Sequence, residues 1–513
     1  MTAVGASLAF LAVIYLGVLA KRQLSPPAAG SSSAQQRRFT RNAIAPVATS
    51  LIDRLLFWVF WIIVLRRIGP EGNGAYAFAA NLLTYFAAVV DFGLGTLITR
   101  EVARSPATLG HIFHTALALR ARTLTICLPA MVIVALTYWA TGSISNDTLL
   151  TTGLLALSLP LAAINQAYAS VYSAWERMDR RGFVVIGTAS LTVGLGLVFL
   201  AAGLGVAGIA AAGLVSGFAT FVTLARPVGF NLLRRTVGAG DHSTWHLARE
   251  ALPLMLNSLL ATAFIQIDVL ILQPLQGTTV VGHYNAAYKF LNALNIVPAA
   301  VVLAAFPLMA RAVGNSHELG RWFVRSWRVL ATTCALSVAF LSIFAEPLID
   351  AILGPQYLPE TAVALAILIW FLPFSYLNGT LQYVVIASNR QWWLTPVFLI
   401  TTLFNIGLNL ALVPTWGFVA AAATTIASEG VLLAGLAWIT RHERLLIRGI
   451  EPMARPILGA IVFAAIAIPL REHGWIVAAT AASGAYLLTL VLTGGLPISV
   501  LRDMTRTDSQ DGE

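Results

Sequence analysis

The sequence predicts an all-α polytopic membrane protein. It has 14 core transmembrane helices in two pseudo-symmetric six-helix lobes plus two C-terminal helices, and an extra N-terminal hydrophobic segment. Three observations lead there: the composition, the length of the apolar runs and an internal repeat. Of 513 residues, 58% are apolar and only 11% are charged, whereas soluble domains carry about 25% charged residues. The mean hydropathy of +0.80 excludes an ordinary soluble enzyme and a disordered chain. The two cysteines, Cys127 and Cys334, lie in apolar runs and imply neither a disulfide framework nor a metal cluster.

A helix needs about 20 mainly apolar residues to cross the hydrocarbon layer. Such runs fall at 44–65, 76–98, 117–139, 148–172, 183–203 and 205–225, which make up an N-lobe over 44–225. The runs 251–273, 283–307, 328–350, 361–387, 393–413 and 417–439 make up a C-lobe over 251–439. Residues 226–250 link the two lobes. Two more runs, 455–470 and 474–496, fill the segment 440–496, and 497–513 form a polar tail. Runs this long bond every backbone group internally as helices. A barrel would show alternating segments of about 10 residues, and none is visible. Residues 1–43 contain an apolar run at 3–20, closed by Lys21-Arg22, and a Pro/Ser/Gln-rich stretch at 25–36 that reads as a flexible linker. The run at 3–20 fits an extra spanning helix, a signal-like segment or a misassigned start. Its lack of a basic leading region favours an anchor.

The net charge of +10 is mostly topology. Most Lys and Arg residues fall on one side of the predicted spans: Arg37, Arg38 and Arg41, then Arg177, Arg180 and Arg181, then Arg321, Arg325 and Arg328, then Arg441, Arg444 and Arg448. The other side holds Arg66, Arg67 and Arg471. By the positive-inside rule the start of the core and the C-terminus are cytoplasmic. No nucleic-acid partner is implied. Attraction to anionic membrane lipids is a secondary reading of the same charges.

The two lobes match at a nearly constant offset. Gly74-Ala75-Tyr76 resembles Gly282-His283-Tyr284, and Asn165 with Arg177 resembles Asn378 with Arg390. Gly205-Val206-Ala207-Gly208 with Ser216 resembles Gly417-Phe418-Val419-Ala420 with Ser428. An offset of an even number of helices makes the lobes parallel repeats, which suits a transporter working by alternating access. There is no Thr-Val-Gly-Tyr-Gly selectivity filter and no Walker motif. Work would have to come from an ion gradient, the membrane potential or the substrate gradient. No Ser-His-Asp grouping or zinc-ligand spacing marks an enzyme.

Several motifs together resemble a family. They are Ile68-Gly69-Pro70-Glu71-Gly72-Asn73-Gly74-Ala75-Tyr76, Asp91-Phe92-Gly93-Leu94 followed by Thr99-Arg100-Glu101, and Asp268 followed by Val281-Gly282-His283-Tyr284-Asn285-Ala286-Ala287-Tyr288-Lys289. Over about residues 40–496 the chain resembles Wzx-type polysaccharide flippases of the multidrug/oligosaccharidyl-lipid/polysaccharide (MOP) superfamily. Asn73 stands where that family often has an aromatic residue. The resemblance implies a flippase in the cell (cytoplasmic) membrane, carrying an undecaprenyl-pyrophosphate-linked oligosaccharide outward for polysaccharide, O-antigen or exopolysaccharide synthesis. It implies a lipid-linked sugar as substrate, with a polymerase or glycosyltransferases as partners. Alternatives are a lipid II flippase of the MurJ kind, a MATE-type drug exporter and, remotely, a membrane glycosyltransferase or polymerase. Twelve helices are usual for the drug exporter, and the short external loops count against the polymerase.

Intramembrane charges cost roughly 2.5–3.5 kcal/mol each on insertion scales, so each is a candidate. Arg54 would hold the pyrophosphate, since guanidinium stays charged away from water. Trp58 and Trp61, on the same face, would pack against sugar rings. The structural alternative is an Arg54–acid pair beside lipid-facing tryptophans. Lys289 lies on a polar stripe with Asn285 and Asn292, beside Tyr288 and Asn295, which suits sugar hydroxyls or helix–helix hydrogen bonding. Asp91, Asp268, Glu429 and Asp53 are candidates for coupling a proton or sodium ion, or for charge pairing. Arg100, Arg120 and Arg122 are expected at the cytoplasmic entrance, as a pyrophosphate funnel or as topology determinants.

Overall fold

The computed structural model describes residues 32–229 and 241–495. The apolar segment 3–20, most of the linker 25–36 and the tail 497–513 lie outside these residues. Helix α1 starts at Ser32 and takes in the last residues of that linker, where Ala34, Gln35 and Gln36 are good helix formers. Among the described residues every regular element is helical, and eleven helices are long and apolar enough to cross a membrane. Large apolar side chains such as Ile126, Ile133, Leu157 and Phe218 are exposed on them. A helix apolar all round belongs in lipid.

By packing the chain divides into two compact units, Met1–Gly282 and His283–Glu513. The first contains α1 (Ser32–Asp91), α2 (Leu94–Arg104), α3 (Leu109–Ala140), α4 (Asn146–Ala174), α5 (Met178–Ala201), α6 (Gly205–Val228) and α7 (Asp241–Gln276). The expected spans 44–65 and 76–98 share α1, which is broken at Gly69 (φ 67°, ψ −176°). Only glycine takes that conformation freely, and Pro70 then opens the next helix without needing its missing N–H. Helix α7 packs within this unit. Tyr138 of α3 donates to the Leu270 carbonyl (3.2 Å) and Gln273 to the Ser143 carbonyl (2.7 Å).

Small residues set the helix spacing, as van der Waals packing in lipid requires. A Cβ on Gly196 would lie 2.7 Å from the Phe60 ring. The tightest approach joins the two repeated Gly-x-Tyr motifs. A Cβ on Gly74 would sit 1.8 Å from the Thr278 carbonyl oxygen, and one on Gly282 1.7 Å from that of Pro70. Asn73, fully buried, donates to the Gly282 carbonyl at 2.6 Å.

The second unit contains α8 (Thr278–Leu294, from His283), α9 (Ile296–Arg311), α10 (Ser316–Leu353), α11 (Glu360–Leu368), α12 (Leu372–Ala387), α13 (Leu394–Ile439), α14 (Leu445–Ile450), α15 (Ala454–Leu470) and α16 (Trp475–Leu492). The expected spans 393–413 and 417–439 share α13, broken at Gly417 (φ 57°). The run 283–307 is split between α8 and α9 at Asn295, because the Pro298 ring crowds the carbonyl four residues earlier. A short 3₁₀ turn, Ile369–Phe371, separates α11 from α12, four residues and fewer before Pro373.

The repeat extends to backbone and hydrogen bonds. Glu176 (φ 54°) and Asn389 (φ 56°), both left-handed, end α4 and α12, and Gly205 (φ 54°) matches Gly417. Asn165 donates to the Gly217 carbonyl and Asn378 to the Glu429 carbonyl, each at 2.9 Å. Thr192 bonds Ser216 at 2.7 Å and Asn405 bonds Ser428 at 3.1 Å. Each unit therefore carries its own copy of one helix-joining framework.

Candidate functional site

In the first unit, Arg54, Trp58 and Trp61 recur at helical spacing on α1 and share a face. Arg54 is exposed, and both tryptophans are half-buried. Trp61 packs at a tilt against Tyr76 (ring centroids 4.8 Å, planes inclined by 59°). The adjoining face carries exposed Ile52, Leu55 and Val59, which are suited to lipid. Asp53 is half-buried and lies on the Phe57–Phe60 side of the helix, away from the Arg54 face.

Asp91 is the last residue of α1. Phe92 (φ 53°) and Gly93 (φ 72°) then break the helix before α2. Arg120 of α3 donates to the Asp91 carboxylate and, at 3.0 Å, to the Ala163 carbonyl. Its side chain is 1% exposed. Arg120, expected at the cytoplasmic entrance, is buried inside the helix bundle and ties α3 to the α1 break and to α4. A guanidinium so buried needs a counter-charge, and Asp91 supplies it. Arg122 is exposed on the same helix. Arg100, also exposed, pairs with Glu101 (2.8 Å) and with Glu250 of α7 (3.2 Å). Asp268 is buried on α7, with Tyr85 of α1 close enough to feel its charge.

In the second unit, α8 presents half-buried Asn285, Tyr288 and Lys289 and exposed Asn292. Tyr284 and Tyr288 pack edge-on at 5.1 Å, and both hydroxyls reach the Thr425 hydroxyl, at 3.3 and 3.5 Å. Behind them, α12 and α13 bury the sequence candidate Glu429 among polar groups that sequence reading did not assign to a site. Asn378 donates to the Glu429 carboxylate at 2.7 Å, and Ser375 also bonds it. Asn409 donates to Asn405 (3.0 Å), which donates to Ser428. Glu429 is 7% exposed, and among the described residues no cation pairs with it. The signal was present in the sequence: Asn405 and Asn409 stand one turn apart within an apolar run. No group of three His, Cys, Asp or Glu residues could hold a metal among the described residues.

The geometry thus offers an exposed cation with aromatic neighbours on one helix face, a polar lysine-bearing stripe, and a buried carboxylate with neutral partners. Comparison with known proteins adds two family matches. Residues 39–313 match the family described as polysaccharide biosynthesis protein, and residues 253–411 match the MatE family. No curated protein matches the sequence. Among solved structures, the lipid II flippase MurJ in an inward closed conformation superposes with a TM-score of 0.68 at 12% identity. It covers 90% of this chain and 99% of its own. An inward-facing multidrug resistance MATE family transporter of the MOP superfamily gives 0.61 at 14% identity, over 85% and 99%. A MOP superfamily transporter from Pyrococcus furiosus gives 0.58 at 15% identity, over 79% and 96%. At these identities the likeness is one of fold.

Proposed function

The chain belongs to the polysaccharide biosynthesis protein family, a membrane transporter of MOP type, and from that premise we propose that it flips a lipid-linked oligosaccharide across the cytoplasmic membrane. The cargo we infer is an undecaprenyl-pyrophosphate-linked repeat unit, delivered outward for polysaccharide assembly, with a polymerase and glycosyltransferases as its partners. The observation that carries this reading is the Arg54–Trp58–Trp61 face of α1. A permanently charged guanidinium beside indole rings matches a ligand that is anionic at one end and sugar at the other. Lys289, with Asn285, Tyr288 and Asn292, offers a second cation among groups that both donate and accept hydrogen bonds. The polyprenyl chain stays in lipid.

We assign the coupling site to Glu429 and the coupling ion to a proton. A carboxylate buried among neutral partners is costly as an anion. Its partners, an amide and a hydroxyl, do not make the oxygen cage that a metal cation prefers. The arginine bias supports a cytoplasmic core N-terminus and C-terminus.

The test is flipping of a fluorescent pyrophosphate-linked glycolipid in proteoliposomes. Arg54→Ala is expected to slow flipping by about ten-fold or more, in keeping with the loss of a charge-assisted contact of about 1.5–3 kcal/mol. Flipping at the wild-type rate would remove Arg54 from the mechanism. Preference for lipid II over other linked sugars would replace the proposed cargo with the MurJ one.

A further inference from the structure

The ends of α12 and α13 and the turns after them border an open pocket of about 170 Å³ in the second unit, lined by Arg390, Trp393, Trp438, Ile439, Arg441 and His442. We propose that this pocket is a binding site for the phosphate headgroup of an anionic phospholipid in the surrounding leaflet. Nothing in the transport reading requires it.

The donors suit a phosphate. The Arg441 guanidinium lies 5.0 Å from the Trp438 ring centroid. Among the described residues Arg441 forms no ion pair, so the stacked guanidinium keeps its N–H groups for an incoming ligand. Arg390 is already held, by Glu443 at 3.0 Å and the Ile439 carbonyl at 3.3 Å. It stiffens the wall, while Arg441 supplies the surplus charge. Trp393 and Trp438 meet edge-on at 5.5 Å, and each is 51% exposed. Half-exposed tryptophans at the ends of spanning helices mark the headgroup depth.

The neighbouring chain fixes the same depth. After Arg444 turns the backbone (φ 50°), α14 buries Leu445 but exposes Ile447 and Ile450, at 67% and 64%. Arg448 on that helix donates to the Ser316 carbonyl at 2.8 Å. A short element with exposed isoleucines and flanking arginines sits in the interface, with its apolar side in the acyl region. A ligand in the adjoining pocket therefore has its phosphate among arginines and its tail beside isoleucines. This favours a lipid over free phosphate.

The pocket is not a by-product of the repeated framework. Arg390 has its counterpart in Arg177, but at the repeat offset Trp393 and Trp438 correspond to Arg180 and Arg226. The first unit keeps the turn without the aromatic walls.

The experiment is native mass spectrometry of the full-length protein in detergent, titrated with phosphatidylglycerol or phosphatidylcholine. Wild type is expected to retain one phosphatidylglycerol in preference to phosphatidylcholine. Arg441→Gln, and separately the pair Trp393→Leu and Trp438→Leu, should weaken retention by about five-fold or more, the worth of one basic residue at an anionic surface. Arg325→Gln is the control. Arg325 also lies over a tryptophan, Trp322, at 5.0 Å, but does not line the pocket, so retention should be unchanged. Arg441 is exposed, so its variant remains decisive even if the tryptophan pair fails to fold. Equal retention of phosphatidylcholine, unaltered binding by Arg441→Gln, or displacement of the lipid by millimolar inorganic phosphate would each overturn the proposal.

Discussion

Arg54 and Arg120 are the same residue type in spanning helices, yet their surroundings divide them sharply. Arg120 is enclosed, with its charge spent on Asp91 and its remaining donors partly on a backbone carbonyl. Removing one partner of a buried pair costs roughly 3–5 kcal/mol, because the other charge is left uncompensated. Since Asp91 is 33% exposed, Arg120→Gln should fall at the low end, and Asp91→Asn, which strands the buried guanidinium, at the high end. Thermal unfolding of the purified variants checks this. The double variant should recover part of the loss, and strictly additive losses would show that the two groups do not act as a pair. Arg54 should behave oppositely. Its removal should leave the melting temperature near wild type while slowing transport, and Arg54→Lys should retain part of the rate, because charge survives where planar geometry is lost. The sequence placed both arginines inside or near spans but could not orient Arg120. In a run that is apolar on every side, periodicity does not say which face points inward. Only the packing of α3 against α4 and the α1 break decides it.

At the scale of elements, the breaks at Gly69 and Gly417 were readable, whereas those inside the expected spans 76–98, 283–307 and 361–387, and the close approaches, were not. Gly69-Pro70 announces its own kink, since the pair combines positive φ with a missing donor. Nothing in Gly74 or Gly282 alone reveals that each lies against the other segment's backbone. Asn73, which departs from the family pattern, is buried and holds that contact. Gly74→Ala would set a methyl group 1.8 Å from a carbonyl oxygen, where no flexible side chain can yield. A loss of about 1–3 kcal/mol or more is expected. Gly153→Ala on α4 meets nothing within 4 Å and should be neutral or slightly stabilising, by up to about 1 kcal/mol. Comparing the melting temperatures of the two variants separates contact from helix propensity. The repeat makes a second prediction for α13. Gly217 makes the same backbone bond with Asn165 that Glu429 makes with Asn378, so the framework does not need a carboxylate. Glu429→Gln should therefore fold and melt like wild type. An outside-acid gradient should accelerate flipping by wild type, as protons enter while cargo leaves, and should leave the variant unaffected. If the variant responded to the gradient as wild type does, Glu429 would not be the coupling group.

For the whole molecule, the repeat and the charge bias were legible because both are properties of linear sequence. Reading by repeat starts the second lobe at residue 251; by packing, α7 belongs with the first compact unit, which runs to Gly282. Long-range bonds such as Gln273 to the Ser143 carbonyl hold α7 there, and no local pattern encodes them. Orientation rests on arginine distribution, and it can be tested in intact cells. The two native cysteines are buried, so they should give little background with a membrane-impermeant maleimide. Arg66 and Arg325 are expected on opposite faces, and Arg66 is exposed in the structure. Arg66→Cys should label in intact cells. Arg325→Cys should label only after the membrane is opened. The reverse pattern would invert the topology, place the Arg441 pocket in the outer leaflet and reverse the gradient assigned to Glu429. Labelling of both sites in intact cells would mean that the chain does not cross the membrane in the order its apolar runs require.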